Sequence, residues 1–347
     1  MTTFIFFNDV FLLKSGTFDK IDGYINDFLS LLPEAVRDKD IEEILDPSLF
    51  FSEIISALKG GGARAGSFFL ILALSVLVCY LASVYEGKLS SAAMSGACVM
   101  ALSPLVYELL LLVDEVTVGL SKICSFFSSV IPLVLSVVVA GGGGSTSAAI
   151  GAQMSFVASA TQVISLELLM PMVRAVIVLS AVSSLGGVGS ERLVSIFRLI
   201  LTRGIGVLTV VVCAIFSLQS IIASAADNAA LRLAKFTAQS LAPAVSTIIG
   251  ASMSTISSGL AYSRGVIGAG AIGAILWIML SPCSMIIIYR FLIGVAMGVS
   301  DALEIKPLSR SLATMQNALD GLLSVFLVSV VLFVFELIVF IKCGVEI

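Results

Sequence analysis

From residue 65 onward the chain runs in long stretches without a single charge: 65–85, 89–107, 123–166, 175–190, 204–226, 236–263 and 265–289. A helix that crosses about 30 Å of hydrocarbon needs about 20 mostly apolar residues. Several stretches reach that length, and 123–166 is long enough for two crossings. The first 64 residues follow another pattern, holding 17 of the 42 formal charges, 6 basic and 11 acidic. The pattern predicts an all-α, polytopic helical membrane protein. Its membrane domain covers 65–347, and a small helical head, soluble or peripheral, covers 1–64.

Within the head, Ile21, Tyr24, Ile25, Phe28, Leu29 and Leu32 share one helical face, and Pro33 ends that helix. A second helix opens at Asp46-Pro47, a cap residue followed by proline at the first helical position. Gly60-Gly61-Gly62 then releases the chain into the membrane. The opening MTTFIFFNDVFLLK is apolar but lacks a basic start and a small-residue cleavage site, so it is not a convincing signal peptide.

The spans expected in the membrane domain are about 66–85, 90–113, 118–140, 147–169, 171–187, 204–226, 265–281, 283–300 and 321–342. Leu241–Tyr262 is rich in small and hydroxyl residues, and suits a helix buried among helices or dipping part-way in. Seven to ten membrane-embedded helices result, with amphipathic connectors at about 190–203 and 301–320. The first connector carries Arg192, Arg198 and Arg203 beside an apolar stripe, which places it on the cytoplasmic face by the positive-inside rule.

One stretch breaks the helical pattern. After Pro132 the chain reads Gly141-Gly142-Gly143-Gly144-Ser145-Thr146-Ser147, and each helical glycine costs about 1 kcal/mol against alanine. No charge lies between Lys122 and Glu167, so the break sits at or within the membrane. It reads either as a tight interfacial loop or as a broken helix lining a pathway, since unpaired backbone at that depth needs protein or water around it.

Composition narrows the chemistry. Charged residues make up 12% of the chain, against about 25% in soluble domains, and mean hydropathy is +1.13. No basic tract offers a nucleic-acid surface. Histidine is absent, which removes imidazole metal ligands and histidine-based catalysis. The six cysteines, at 79, 98, 124, 213, 283 and 343, show no metal-ligand spacing and read as small packing residues. The chain is expected to be no enzyme and to need no cofactor.

The candidate site residues are therefore charges and backbone devices inside apolar stretches. Glu108, Glu167, Arg174, Arg290 and Glu336 each cost about 2.5–3.5 kcal/mol at a helix centre, so each calls for a partner, a wet cavity or an interface. Glu167 and Arg174 lie two turns apart and could pair or flank a polar cavity. Glu108 and Glu336 sit near span ends, within reach of headgroups. Arg290, deeper in its span, is expected to be buried against a polar or acidic partner, with Glu336 or Glu167 as candidates. Small residues recur every fourth position at Gly265, Ala269 and Gly273, and at Gly294 and Gly298, allowing close helix packing within the chain or between copies in a homo-oligomer.

The block from Pro132 through Gly141–Gly144 to Ser145-Thr146-Ser147-Ala148-Ala149 resembles that of the stage III sporulation protein AE family. So does the series Phe216-Ser-Leu-Gln219, Asp227, Lys235-Phe236, Pro243, followed by Arg264-Gly265-Val266-Ile267-Gly268 and by Pro282, Tyr289 and Asp301. Order and spacing hold from about 66 to 342. The resemblance implies a multi-pass protein of the mother-cell membrane in endospore formers, a subunit of a channel-like, secretion-related complex joining mother cell and engulfed forespore. It implies other stage III A operon-type membrane proteins and a forespore-side protein as partners, and it carries over no catalytic residues. The chain has no GxxxxGK[ST] loop, so a separate ATPase would supply energy. An autonomous small-molecule permease and a non-transporting membrane scaffold are the alternatives.

Overall fold

The computed structural model describes residues 47–84, 91–140, 144–183 and 243–342, together with single helical positions between 195 and 210. The ordered elements are α1 (Pro47–Val84), α2 (Ser91–Ala140), α3 (Gly144–Gln162), a π-helical segment (Val163–Leu169), α4 (Met170–Ser183), α5 (Pro243–Ala302) and α6 (Lys306–Lys342). No strand occurs among the described residues. The head helix at 17–32 and the motif residues Gln219, Asp227, Lys235 and Phe236 lie outside them, as do Gly141, Gly142 and Gly143.

Five helical stretches among the described residues are long and apolar enough to cross a membrane: Arg64–Val84, Gly96–Ser136, Gly151–Ala181, Gly268–Ala302 and Lys306–Ile338. This is fewer than the expected seven to ten: the expected 204–226 span and the 190–203 connector lie largely outside the described residues, and within those residues three expected divisions do not occur. The pair Asp114-Glu115 does not end a span, since α2 runs through it for 50 residues, or about 75 Å at 1.5 Å per residue. Pro282 does not divide α5, which runs unbroken for 60 residues from Pro243, and it takes in the 243–262 stretch as well. Pro171 does not divide its stretch either. The helix widens into the π-helical segment just before it, where the Met170 amide donates to the Ser165 carbonyl, five residues back. Proline inside a membrane helix is tolerated where neighbouring helices and local π adjustments re-satisfy the freed carbonyls.

Two further boundaries move. The helix opening at Pro47 continues through Gly60-Gly61-Gly62 into the first span, so the chain is not released there. The connector expected at 301–320 shrinks to a turn, and α6 already begins at Lys306. Leu308, Leu312, Met315, Ala318, Leu319 and Leu322 bury the apolar stripe of this segment inside the bundle.

The turn itself is explained by its hydrogen bonds. The Ile305 amide donates to the Ser300 carbonyl at 3.0 Å and the Glu304 amide to the Asp301 carbonyl at 3.1 Å. Those are the two bonds of a Schellman motif, whose left-handed position is usually glycine. Here that position is Glu304, at φ 58°. A left-handed residue with a side chain costs about 1–2 kcal/mol. Glu304→Gly should therefore raise stability by about 1 kcal/mol, read as a higher unfolding temperature of the purified chain in detergent. An unchanged or lower temperature would mean that the Glu304 side chain compensates.

α1 and α2 pack as an antiparallel pair, with the Ser75 hydroxyl donating across it to the Ala101 carbonyl at 2.7 Å. α5 and α6 form the second hairpin. Phe127 of α2 and Phe333 of α6 meet at 4.7 Å between ring centroids, in one continuous core. Outward faces are apolar as well: Phe69, Leu70, Leu74, Leu77 and Leu81 of α1 are all exposed. An apolar stripe of this extent on the outside needs hydrocarbon or a partner to cover it.

Candidate functional site: a charged level and a buried polar seam

Halfway along α2, adjacent carboxylates reach in two directions. Glu115 binds the Arg64 guanidinium of α1 at 2.9 Å. Asp114 binds that of Arg174 of α4 at 2.7 Å. A third pair joins the other hairpin, Arg290 of α5 with Asp320 of α6 at 2.5 Å. Phe68, one turn from Arg64, stacks on Tyr289 with ring centroids 4.1 Å apart. Tyr289 also lies within electrostatic reach of Glu108, Arg64 and Glu115. The three pairs therefore occupy one level of the bundle, tying α1 to α2, α2 to α4 and α5 to α6.

The pairing corrects three expectations. Arg290 has the acidic partner expected of it, but that partner is Asp320 and not Glu336 or Glu167, and the pair is half exposed, not buried. Arg174 is bound to Asp114 and not to Glu167, which is exposed on the π-helical segment and forms no ion pair among the described residues. Glu336 does not reach outward. It is 2% exposed, and neither carboxyl oxygen has a hydrogen-bond partner among the described residues.

The glycine-serine block is placed only from Gly144, where α3 begins four residues after α2 ends at Ala140. Ser147 is buried, Pro132 is half-buried within α2, and the side chains of Ser145 and Thr146 lie outside the described set. Downstream, Pro243 is the first residue of α5, and Gly268, Gly273 and Pro282 are buried along it, with Ala269 half-buried. Gly265 is helical there too, with surroundings outside the described set. The stripe Gly294–Gly298 is not a close-packing surface in this chain. A Cβ on Gly294 would meet only the Gln316 amide nitrogen, at 3.8 Å, and one on Gly298 would meet nothing within 4 Å.

The close approaches lie elsewhere. A Cβ on Gly119 would stand 2.8 Å from Pro282 Cγ, and one on Gly151 would stand 2.9 Å from a Leu135 methyl. Sequence reading passed over both: Gly119 belongs to no four-residue repeat of small residues, and the repeat Ser147, Gly151 and Ser155 was not singled out. It also passed over Cys79 and Cys98, which α1 and α2 bring into hydrogen-bond contact as free thiols. Their separation along the chain concealed the meeting.

Helices that are apolar inside and outside, long enough to cross a bilayer, and joined at one level by paired charges define an integral membrane protein of the helical class. The stage III sporulation protein AE family model matches residues 39–344, and the chain belongs to that family. No curated relative and no solved structure matches it.

Proposed function

We propose that this chain is an integral subunit of a multiprotein, secretion-like channel that links mother cell and forespore during endospore formation. It sits in the mother-cell membrane facing the forespore. The match to the sporulation family over 39–344 carries the reading, and the charged level supports it. Charges inside candidate spans are costly unless they pair and face a wet cavity or a partner. Here the six side chains pair while staying 37–66% exposed on the isolated chain. Their exposed edges suit a water-filled path or neighbouring subunits.

On this reading other stage III A operon-type membrane proteins complete the enclosure, a separate ATPase supplies energy, and a forespore-side protein completes the bridge. The charged head at 1–64 is then an assembly surface, and the block at 141–147 a helix break shielded from lipid. The reading assigns no catalysis and no cofactor to the chain. Reconstitution of the purified chain into liposomes separates this reading from an autonomous permease. A dependent subunit shows no substrate-specific uptake alone, whereas saturable uptake of a small solute by the chain by itself would overturn the proposal.

A further inference from the structure

Two of the buried cysteines meet, and the α1–α2 hairpin sets the place. Arg64 of α1 binds Glu115 of α2 at 2.9 Å, and the Ser75 hydroxyl donates to the Ala101 carbonyl at 2.7 Å. The facing position on α2 falls as that on α1 rises, as an antiparallel pair requires. One turn beyond Ser75 stands Cys79, and one turn before Ala101 stands Cys98, so the same register sets them face to face. Their side chains are in hydrogen-bond contact. Both are fully buried, and both are free thiols.

The packing suits a covalent link. A disulfide needs Cα atoms about 4.4–6.8 Å apart. Helices packed at about 8–10 Å between axes, with Cα atoms about 2.3 Å off each axis, bring facing residues into that range. α1 and α2 pack closely here, since the short Ser75 side chain reaches a backbone oxygen of its neighbour one turn away.

The chemistry suits an apolar site. When two thiols become a disulfide, two S–H bonds break, one S–S bond forms, and two protons leave with one electron pair. Reactant and product are both neutral, so no charge is left in surroundings where an unpaired one is costly. A metal held by two thiolates would leave such a charge. The acceptor of the two hydrogens has to dissolve in hydrocarbon, and a quinone does so, becoming the quinol. Leu77, Val78, Tyr80 and Leu81, around Cys79, are exposed on the outer face of α1. The pair also lies within two turns of Val84 and Ser91, where α1 ends and α2 begins. Helix ends open locally at the least cost, which gives the acceptor its access.

We propose that Cys79 and Cys98 form a two-electron redox site that a membrane quinone oxidises to a disulfide. The bond closes the segment 80–97 and pins the hairpin at the end opposite the Arg64–Glu115 pair. The site goes beyond the channel reading and does not depend on it.

The full-length chain, reconstituted without oxygen in phosphatidylcholine vesicles containing decylubiquinone, tests it. That quinone is fully substituted, so it takes up hydrogens without adding to thiols. Remaining thiols are then blocked with N-ethylmaleimide in denaturant, and non-reduced peptides are read by mass spectrometry. A linked Cys79–Cys98 peptide pair should accumulate, with quinol appearing in step. Cys124 and Cys283, buried thiols that meet no second cysteine among the described residues, should stay unlinked and take the maleimide. Cys79→Ser and Cys98→Ser should each abolish both the link and the quinol. Free Cys79 and Cys98 after quinone exposure, a link from either to a different cysteine, or equal linkage with and without quinone would overturn the proposal.

Discussion

Asp320→Ala should lower the folded yield of the chain more than removing Arg290 and Asp320 together. Both residues lie within candidate spans, at 2.5 Å from each other. The single substitution leaves a guanidinium in an apolar segment without its counter-charge, at a cost of about 2.5–3.5 kcal/mol on insertion scales. The double substitution Arg290→Leu/Asp320→Leu removes the demand along with the supply, and replacing an ion pair by apolar groups is often close to neutral. The exchanged pair Arg290→Asp/Asp320→Arg should recover most of the loss. Size-exclusion profiles and unfolding temperatures of the three variants, against the unaltered chain, read the result. Equal behaviour of the single and double variants would show that Arg290 finds water or a headgroup and needs no partner.

Gly119→Val should cost about 1–3 kcal/mol, the usual penalty for overfilling a packed core. A Cβ at this position stands 2.8 Å from Pro282 Cγ, with a Phe326 ring carbon 4.0 Å away. A proline ring cannot swing aside as the end of a flexible chain can, so α2 and α5 must separate or bend. Pro282→Ala in the same chain should restore part of the loss, because the two residues share one contact and their effects cannot add. If the double variant is as unstable as the sum of the singles, the clash is not what limits the position.

Much of the fold was legible in the residues because hydrophobic runs report burial in lipid or protein directly. Asp46-Pro47 marked the start of α1 correctly, since a cap and an N1 proline act locally. The span count was not legible in the same way. Asp114-Glu115 looks like a loop when only the charge is counted, and it becomes tolerable inside a helix once Arg64 and Arg174 arrive from two other helices. Pro171 and Pro282 are helix breakers by local rule, and tertiary context overrides the rule at both.

The same holds for the charges. Sequence identified Arg174, Arg290 and Glu336 as residues in need of an account, because the cost of a charge in an apolar run depends on the run alone. It could not supply Asp114 and Asp320 as partners, since pairing between helices is set by the register of the bundle. Glu336 read as an end-of-span residue because it lies close to Lys342 along the chain. Its burial comes from helices packed beside it, which chain position does not reveal.

The most direct measurement deletes the gene in an endospore former and follows development by membrane-stained microscopy and heat-resistant spore counts. The account predicts normal engulfment, then a forespore that collapses or fails to begin late transcription, with heat-resistant spores lost and the intact chain restoring them. Normal numbers of heat-resistant spores from the deletion strain would contradict it.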